Sequence, residues 1–561
     1  LEVLLSNRSQ KVLVIGLDGV PLEIIKPWAD AGHLPTLKKF MEAGAVGHLA
    51  STMPPTSGPS WSTFVTGKNP GKHGIYDFLF RRPNDYVFPP VNTTRRDGKA
   101  LWQIISDAGK VAGSLNVPIA YPVDKINGPI LSGWMTPYTA KDFFHPPNLL
   151  ADLEAHLGGA YHIYPTDTFT EGREQSFMRA SYELLEGLTK STLYLLDHYH
   201  PDFFIVVNFD TDRILHQMWH YLDPTHPWRK DTIDRSEIVL QYFQKVDDSI
   251  ARILTRADDE ALVIILSDHG MGAAHNFVVL NNWLLQTGLL QLKRDVTTRA
   301  KKWLFDVGFT LRNVHRIANL LGLAKHAEYK MGYFTDALMK YFFLSFRNVD
   351  WSRSKAYSFG RHVGALYINV KGREPHGCVE RGAEYERVRD EIIEMAKDFT
   401  DPRDGRRTID RVLKREDVWH GAHVDEGPDL ILLPKEPTDI FFGLADFGSN
   451  QLMDRVYRYS GMHRNDGLLF MRGPMIKQGH IITGAQIQDM APTILYAMDL
   501  PVPRDMDGQP LTDAFTHPFI AAHPITYDDG ASAQETPQIA DYTDAEAQQV
   551  EERLRELGYL G

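Results

Sequence analysis

A single cysteine, Cys378, among 561 residues rules out an internal disulfide, which fits a reducing compartment. No apolar run approaches the roughly 18 residues that span a bilayer. The opening LEVLLSNRSQ lacks the basic-then-apolar order of an export signal, so a soluble cytoplasmic protein is expected, although a signal already removed would leave no trace. A net charge of −12 gives no general basic footprint, and no nucleic-acid partner is expected. Internal repeats and long low-complexity tracts are also missing. What remains is ordinary globular composition, 43% hydrophobic and 24% charged, in a chain long enough for one large core and a subsidiary domain or insertion.

Short β-branched runs bounded by turn residues recur along the chain: KVLVIGLD at 11–18, DFFIVVNFD at 202–210 and ALVIILSD at 261–268, then GALYINV, DLILLP and GLLFMRGP. They read as strands buried on both faces. Helical patterns such as LPTLKKFMEAG and SEIVLQYFQKVDDSIARIL lie between them. The expectation is an α/β fold, a mainly parallel central sheet flanked by helices. Its core runs over 11–289 and 353–515 and is interrupted by a basic, aromatic, helix-patterned insertion at 290–352. The insertion suggests a lid or an oligomer contact. A membrane-surface role is less favoured, since its apolar residues could all be core. A tail at 516–561 ends in DAEAQQVEERLRELGYLG, with acids early and arginines late, as a terminal helix prefers. A homo-oligomer could form through the insertion or the tail.

Three strand-like runs finish in or just before an aspartate: Asp18, the Asp210/Asp212 pair, and Asp268. In open α/β sheets the carboxyl ends of the strands form the ligand crevice, so these carboxylates can converge. LSDHGM sets Asp268 beside His269, and Gly270 permits the sharp turn that would aim both at one cation. NFDTDRILHQMWH spaces Asp212 and His216 four apart, on one face if a helix starts near Thr211. Asp210 could be the ligand instead, and His220 could extend the face. GMHRNDGLLFMRGP supplies His463, whose ordinary role would be a loop histidine contacting backbone. PPTSGPSWSTFVTGKNPGKHGI, from Pro54 to Ile75, reads as a loop that presents Ser57 among prolines and glycines.

In this order, and with VTGKNPGKHGI, VDWSRSKAYSFG, GREPHG and LPVPRDMDG, the chain resembles the alkaline phosphatase superfamily, specifically its type I phosphodiesterase and nucleotide pyrophosphatase branch and the related bacterial phosphohydrolase/phosphomutase group. The resemblance covers 11–80, 200–275 and 355–515 and weakens over the insertion. It implies two divalent ions, zinc first, with manganese or iron as alternatives. One would be held by Asp18, Ser57, Asp268 and His269, the other by Asp212, His216 and His463. It also implies that Ser57 is the nucleophile of a covalent phosphoryl-enzyme, with a small-molecule phosphoester as substrate.

Two departures from the pattern matter. Ser60 stands where some relatives of this branch have an asparagine that assists a non-bridging oxygen, and losing such a donor costs about 3 kcal/mol. SGPSW is similar to the sulfatase and phosphonate monoester hydrolase motif, but Trp61 fills its arginine position, so that reading stands second. No arginine lies near Ser57 in sequence, although Lys68 or Lys72 could fold inward, and a diester is expected rather than a monoester. Phosphoryl transfer to another hydroxyl, as in a phosphomutase, stays open. A non-catalytic metal-stabilised interaction protein is the remaining alternative. Candidate substrate contacts are Ser60, Lys68, Asn116, Trp134 (in LSGWMTP) and His362.

Overall fold

A computed structural model describes residues 10–229, 234–320, 342–443, 447–456, 459–529 and 540–556. Its centre is a nine-stranded sheet. The strands that position the site are β1 (Val12–Leu17), β2 (Ala45–Ala50), β3 (Ala112–Val117), β4 (Ile130–Ser132), β5 (Phe144–His145), β6 (Phe203–Asn208) and β7 (Leu262–Leu266). Two later strands, Asp466–Arg472 and His480–Ile482, complete it. Across the sheet the order is His480–Ile482, β2, Asp466–Arg472, β7, β1, β6, β3, β4, β5. β1 pairs in parallel with both β6 and β7, and only Asp466–Arg472 and the edge strand β5 run against their neighbours.

The registers explain why the strand-end aspartates meet. Leu17 lies opposite Asn208, and Gly16 opposite Leu266. Asp18, Phe209 and Ser267 therefore leave the sheet at the same edge. Alternate residues feed separate cores. Val12, Val14, Ile205 and Ile264 face helices Ser57–Thr66, Leu101–Asp107 and Met490–Ala497. Leu13, Ile15, Val206 and Ile265 face helices Pro35–Ala43, Glu174–Tyr199 and Ser236–Leu254. The continuous β-branched runs read as two-faced strands because they are.

Of the expected insertion at 290–352, residues 321–341 lie outside the described residues. A further core gathers residues from Leu280 and Phe305 through Tyr357, Leu366 and Leu432, and two four-stranded sheets lie within this region. GALYINV and DLILLP belong to one of them, as antiparallel strands Gly364–Ile368 and Leu430–Pro434, and do not extend the central sheet. A short buried apolar run looks the same in either sheet, and only its partners distinguish the two. The tail helix Asp544–Glu556 packs into the same core through Val550 and Leu554, so its apolar face is used within the chain.

Asp429 pins this smaller unit. Its buried carboxylate accepts from Arg373 (2.8 and 2.6 Å), Arg415 (3.1 Å), Tyr385 Oη (2.7 Å) and the Ile368 N–H (2.7 Å). Burial alone would raise its pKa, but the Arg373 and Arg415 guanidiniums hold it down to about 2. A carboxyl whose pKa is depressed on folding contributes stability above its unfolded pKa, and that contribution is lost as pH falls through the folded value. The unfolding free energy of the wild type, read by denaturant titration, is expected to lose about 2 kcal/mol on this account between pH ~4 and ~2. Asp429→Asn should be less stable at neutral pH by about 3 kcal/mol and should lack this part of the acid slope; equal slopes would contradict the assignment.

Candidate functional site

Ser57 is the first residue of a helix, Ser57–Thr66, rather than a member of the expected loop. Proline is tolerated in a helix's first turn because the N–H it lacks would have no partner there, so Pro59 does not stop the helix. The helix lies on β1: a Cβ on Gly16 would sit 2.5 Å from the Trp61 ring, so only glycine lets the indole settle on the strand. Trp61 Nε1 then donates to Asp18 Oδ2 at 2.9 Å, while Ser57 Oγ donates to Asp18 Oδ1 at 3.0 Å. Four residues apart on one helix face, these two groups fix the carboxylate. The Ser57–Trp61 spacing was visible in the sequence, but the contribution of Trp61 was not read from it.

The other side chains arrive from neighbouring elements. Gly19, at φ +70°, turns the chain after Asp18, and a Cβ there would lie 2.5 Å from Asp212 Oδ1. Asp212 and His216 sit on helix Asp210–Leu222, and His216 Nε2 is 3.3 Å from Asp212 Oδ2. His269 follows β7 directly through Ser267 and Asp268, and its Nε2 lies 3.1 Å from Ser57 Oγ and 3.5 Å from both Asp18 Oδ1 and Asp268 Oδ2. His463 lies on strand Gly461–Arg464, which pairs with β8 (Gly270–Ala273). Its Nε2 is 3.3 Å from Asp212 Oδ1 and 2.8 Å from His216 Nε2, and its ring stacks on His269 at 3.8 Å.

Supporting hydroxyls hold this arrangement. Thr211 Oγ1 donates to the Asp18 carbonyl at 2.6 Å. Ser267 Oγ accepts from the Val20 N–H at 2.7 Å and donates to the His269 carbonyl at 2.6 Å.

All seven sequence-predicted donors are buried at one place. Five of the seven form two groups whose ligand atoms lie within 4.8 Å of one another, Asp18 with Asp268 and His269, and Asp212 with His269 and His463, while His216 belongs to neither. His269 is thus common to both. Each imidazole turns Nδ1 to a backbone carbonyl: His216 to Gly461 at 2.8 Å, His269 to Gly270 at 3.0 Å, His463 to Pro55 at 3.1 Å. A carbonyl accepts only, so these contacts put the proton on Nδ1 and leave the Nε2 lone pairs aimed inward.

Burial, and then the Asp212 charge, raises the Asp18 carboxyl well above its ordinary value; burial with Asp18 and Asp212 does the same to Asp268. Burial pushes His269 down to about 4 and, with the neighbouring imidazoles, His463 well below its usual range. Asp268 Oδ2 accepts no hydrogen bond. Inward lone pairs, crowded carboxylates and a carboxylate oxygen without a donor form a donor set that fits divalent cations of the zinc or manganese type.

The alternatives left open by the sequence separate here. Asp210 Oδ1 is bound to Arg213 Nε at 2.5 Å, and His220 Nδ1 contacts Ser460 Oγ at 3.0 Å, so neither joins the donor groups. Ser60 Oγ is 2.7 Å from Ser51 Oγ. Lys68, beyond the far end of the Ser57 helix, pairs with Asp505 at 2.5 Å, and Lys72 with Asp507, so neither folds inward as the sequence allowed. Asn116, at φ +64° at the end of β3, donates to the Val207 carbonyl at 2.9 Å while its buried Oδ1 accepts nothing. Trp134 packs edge-on against Phe78 at 4.5 Å and parallel to Phe209 at 6.5 Å. His362 lies on strand Gly360–His362, but its side chain is outside the described residues.

A family model described as type I phosphodiesterase / nucleotide pyrophosphatase matches residues 12–463. No curated protein matches the chain. Among solved structures, phosphonoacetate hydrolase from Sinorhizobium meliloti 1021 in complex with phosphonoformate is similar at a TM-score of 0.53 and 15% identity, over 87% of this chain and 95% of that one. Human ectonucleotide pyrophosphatase / phosphodiesterase 5 gives 0.47 and 14%, over 90% and 100%. The first likeness shows a shared fold.

If the donor set binds cations, Zn2+ or Mn2+ added to metal-free protein should raise its thermal midpoint, by the equivalent of about 2.7 kcal/mol at a hundred times the dissociation constant. His269→Ala, which removes the nitrogen common to both groups, should lose more of that shift than His216→Ala. A midpoint indifferent to both cations would contradict the reading.

Proposed function

The chain belongs to the type I phosphodiesterase / nucleotide pyrophosphatase family and is a phosphoester hydrolase, and on that premise we propose a metal-dependent phosphodiesterase whose nucleophile is Ser57. The observation that supports this best is the position of Ser57 Oγ, buried at a helix start between Asp18 Oδ1 and His269 Nε2 at 3.0 and 3.1 Å. Asp18, Ser57, Asp268 and His269 would hold one divalent ion, and Asp212, His216 and His463 a second, with zinc favoured and manganese or iron as alternatives. Bound there, the ions would supply Lewis-acid charge that favours the deprotonated seryl oxygen and the departing ester oxygen.

The chain's own residues do the rest. Ser57 Oγ attacks phosphorus in line; a new P–O bond forms as the bond to the leaving oxygen breaks, and water later releases the phosphoryl group from serine. Trp61 and Thr211 keep Asp18 oriented from its side-chain and backbone ends. The N–H groups of Ser57 and Gly58 have no preceding helical turn to bond and lie at the positive end of the helix, where a phosphoryl oxygen is favoured. They are the donors we assign in place of Ser60, whose hydroxyl is engaged with Ser51. We assign Asn116 and Trp134 to the wall that would receive the rest of the substrate.

The diester preference follows from charge. A terminal phosphate carries nearly two negative charges near neutral pH and calls for a cation beside the nucleophile. Lys68 and Lys72 are tied to Asp505 and Asp507 instead.

Ser57→Ala is expected to slow hydrolysis of bis-p-nitrophenyl phosphate by at least about a thousandfold while leaving the fold intact by circular dichroism. The wild type should turn over this diester faster than p-nitrophenyl phosphate. An alanine variant at full rate would remove Ser57 from the mechanism, and a clear monoester preference would reject the diester assignment.

A further inference from the structure

Helix Val296–Asp306 presents apolar side chains to the outside. Thr298 and Phe305 are its buried residues, whereas Val296 is 84% exposed, Trp303 65% and Val307, at its C-cap, 62%. Spacings of seven and four residues put these three on one stripe. The stripe continues into the chain beyond the helix: Phe309 stacks on Phe343 at 5.0 Å, and the adjacent Phe342 is 57% exposed. Six of the ten large apolar residues exposed among the described residues fall between 296 and 342. The sequence had allowed all the apolar residues of this segment to be core, and they are not. Exposed apolar side chains gathered in this way mark an interaction surface.

The charge around the stripe selects its partner. Residues 293–316 carry seven Lys and Arg against two Asp, in a chain of net charge −12. Lys293, Arg294, Arg299, Arg316 and, from the returning chain, Arg347 are all exposed. Lys301 Nζ reaches the Phe343 carbonyl at 3.3 Å and joins the two stretches. A symmetric contact with a second copy would set this basic rim against itself, and like charges across an interface are costly. An anionic lipid surface meets both features at once, with the indole and aliphatic groups entering the headgroup and acyl boundary while Arg and Lys reach the phosphates. No helix among the described residues is long and apolar enough to cross a membrane, so attachment through this face is peripheral.

We propose that the stripe Val296–Trp303–Val307, with its basic rim, docks the enzyme on anionic lipid. This stands apart from the catalytic reading, because none of these residues belongs to the metal or nucleophile site. The test is co-flotation of the full chain with vesicles of phosphatidylcholine containing phosphatidylglycerol, and with phosphatidylcholine vesicles alone. Binding is expected to the anionic vesicles, weakened by high salt, and reduced by at least about tenfold in the Trp303→Glu/Val307→Glu double variant. Arg299→Glu should weaken it less. Both variants should keep wild-type hydrolysis of a soluble diester, which shows that they are folded. Failure to float with anionic vesicles, or undiminished flotation of the double variant, overturns the proposal. So does a dimer in sedimentation velocity that Trp303→Glu dissociates, since the face would then be a contact between copies.

Discussion

Buried carboxylates and inward-facing imidazole lone pairs cannot share one small volume without positive charge between them. Asp18, Asp212 and Asp268 meet His216, His269 and His463 in that way, all of them buried. Of the guanidiniums adjacent to these residues in sequence, buried Arg213 donates to Asp210 and Ser181, and Arg464 donates to the carbonyls of Met462, His463 and Ala273. Burial and mutual repulsion raise the carboxyls, and burial lowers His269 and His463, which is the electrostatic cost of this crowding. A divalent ion reverses the sign of that cost, which makes the site a place where cation binding and local stability are the same quantity.

The fold delivers this congestion with little freedom. Parallel pairing of β1 with β6 and β7 brings three chain exits to one edge. Gly16 admits Trp61 and Gly19 admits Asp212, so the Ser57 helix and the Asp212 helix approach the same strand end from two directions. Ser57 is consequently held by the same carboxylate and imidazole that crowd the centre. The proposed nucleophile and the candidate cation site are thus one construction, and disturbing either is expected to disturb the other.

Much of this was legible before any coordinates. Strand-end aspartates follow from β-branched runs that stop at Asp18, Asp210 and Asp268, and the i, i+4 spacing of Asp212 and His216 places them on one helix face. His463 was different: nothing intrinsic to its own segment marked it, and only its place in a family pattern did. The start of the Ser57 helix was hidden because SGPS has turn composition, and composition does not reveal that a proline in the first turn forfeits no hydrogen bond. Gly364–Ile368 and Leu430–Pro434 read as strands from their own residues, but the sheet they join does not, since pairing partners are long-range facts. The outward apolar stripe of 296–307 was unreadable for a related reason: periodicity locates a face without saying which way it points.

The most direct measurement is anomalous diffraction, at the zinc or manganese absorption edge, from crystals grown with that cation. The account predicts two separate peaks, one among Asp18, Ser57, Asp268 and His269 and the other among Asp212, His216 and His463. Absence of any peak at these side chains, or peaks bound elsewhere on the molecule with this cluster left empty, would contradict it.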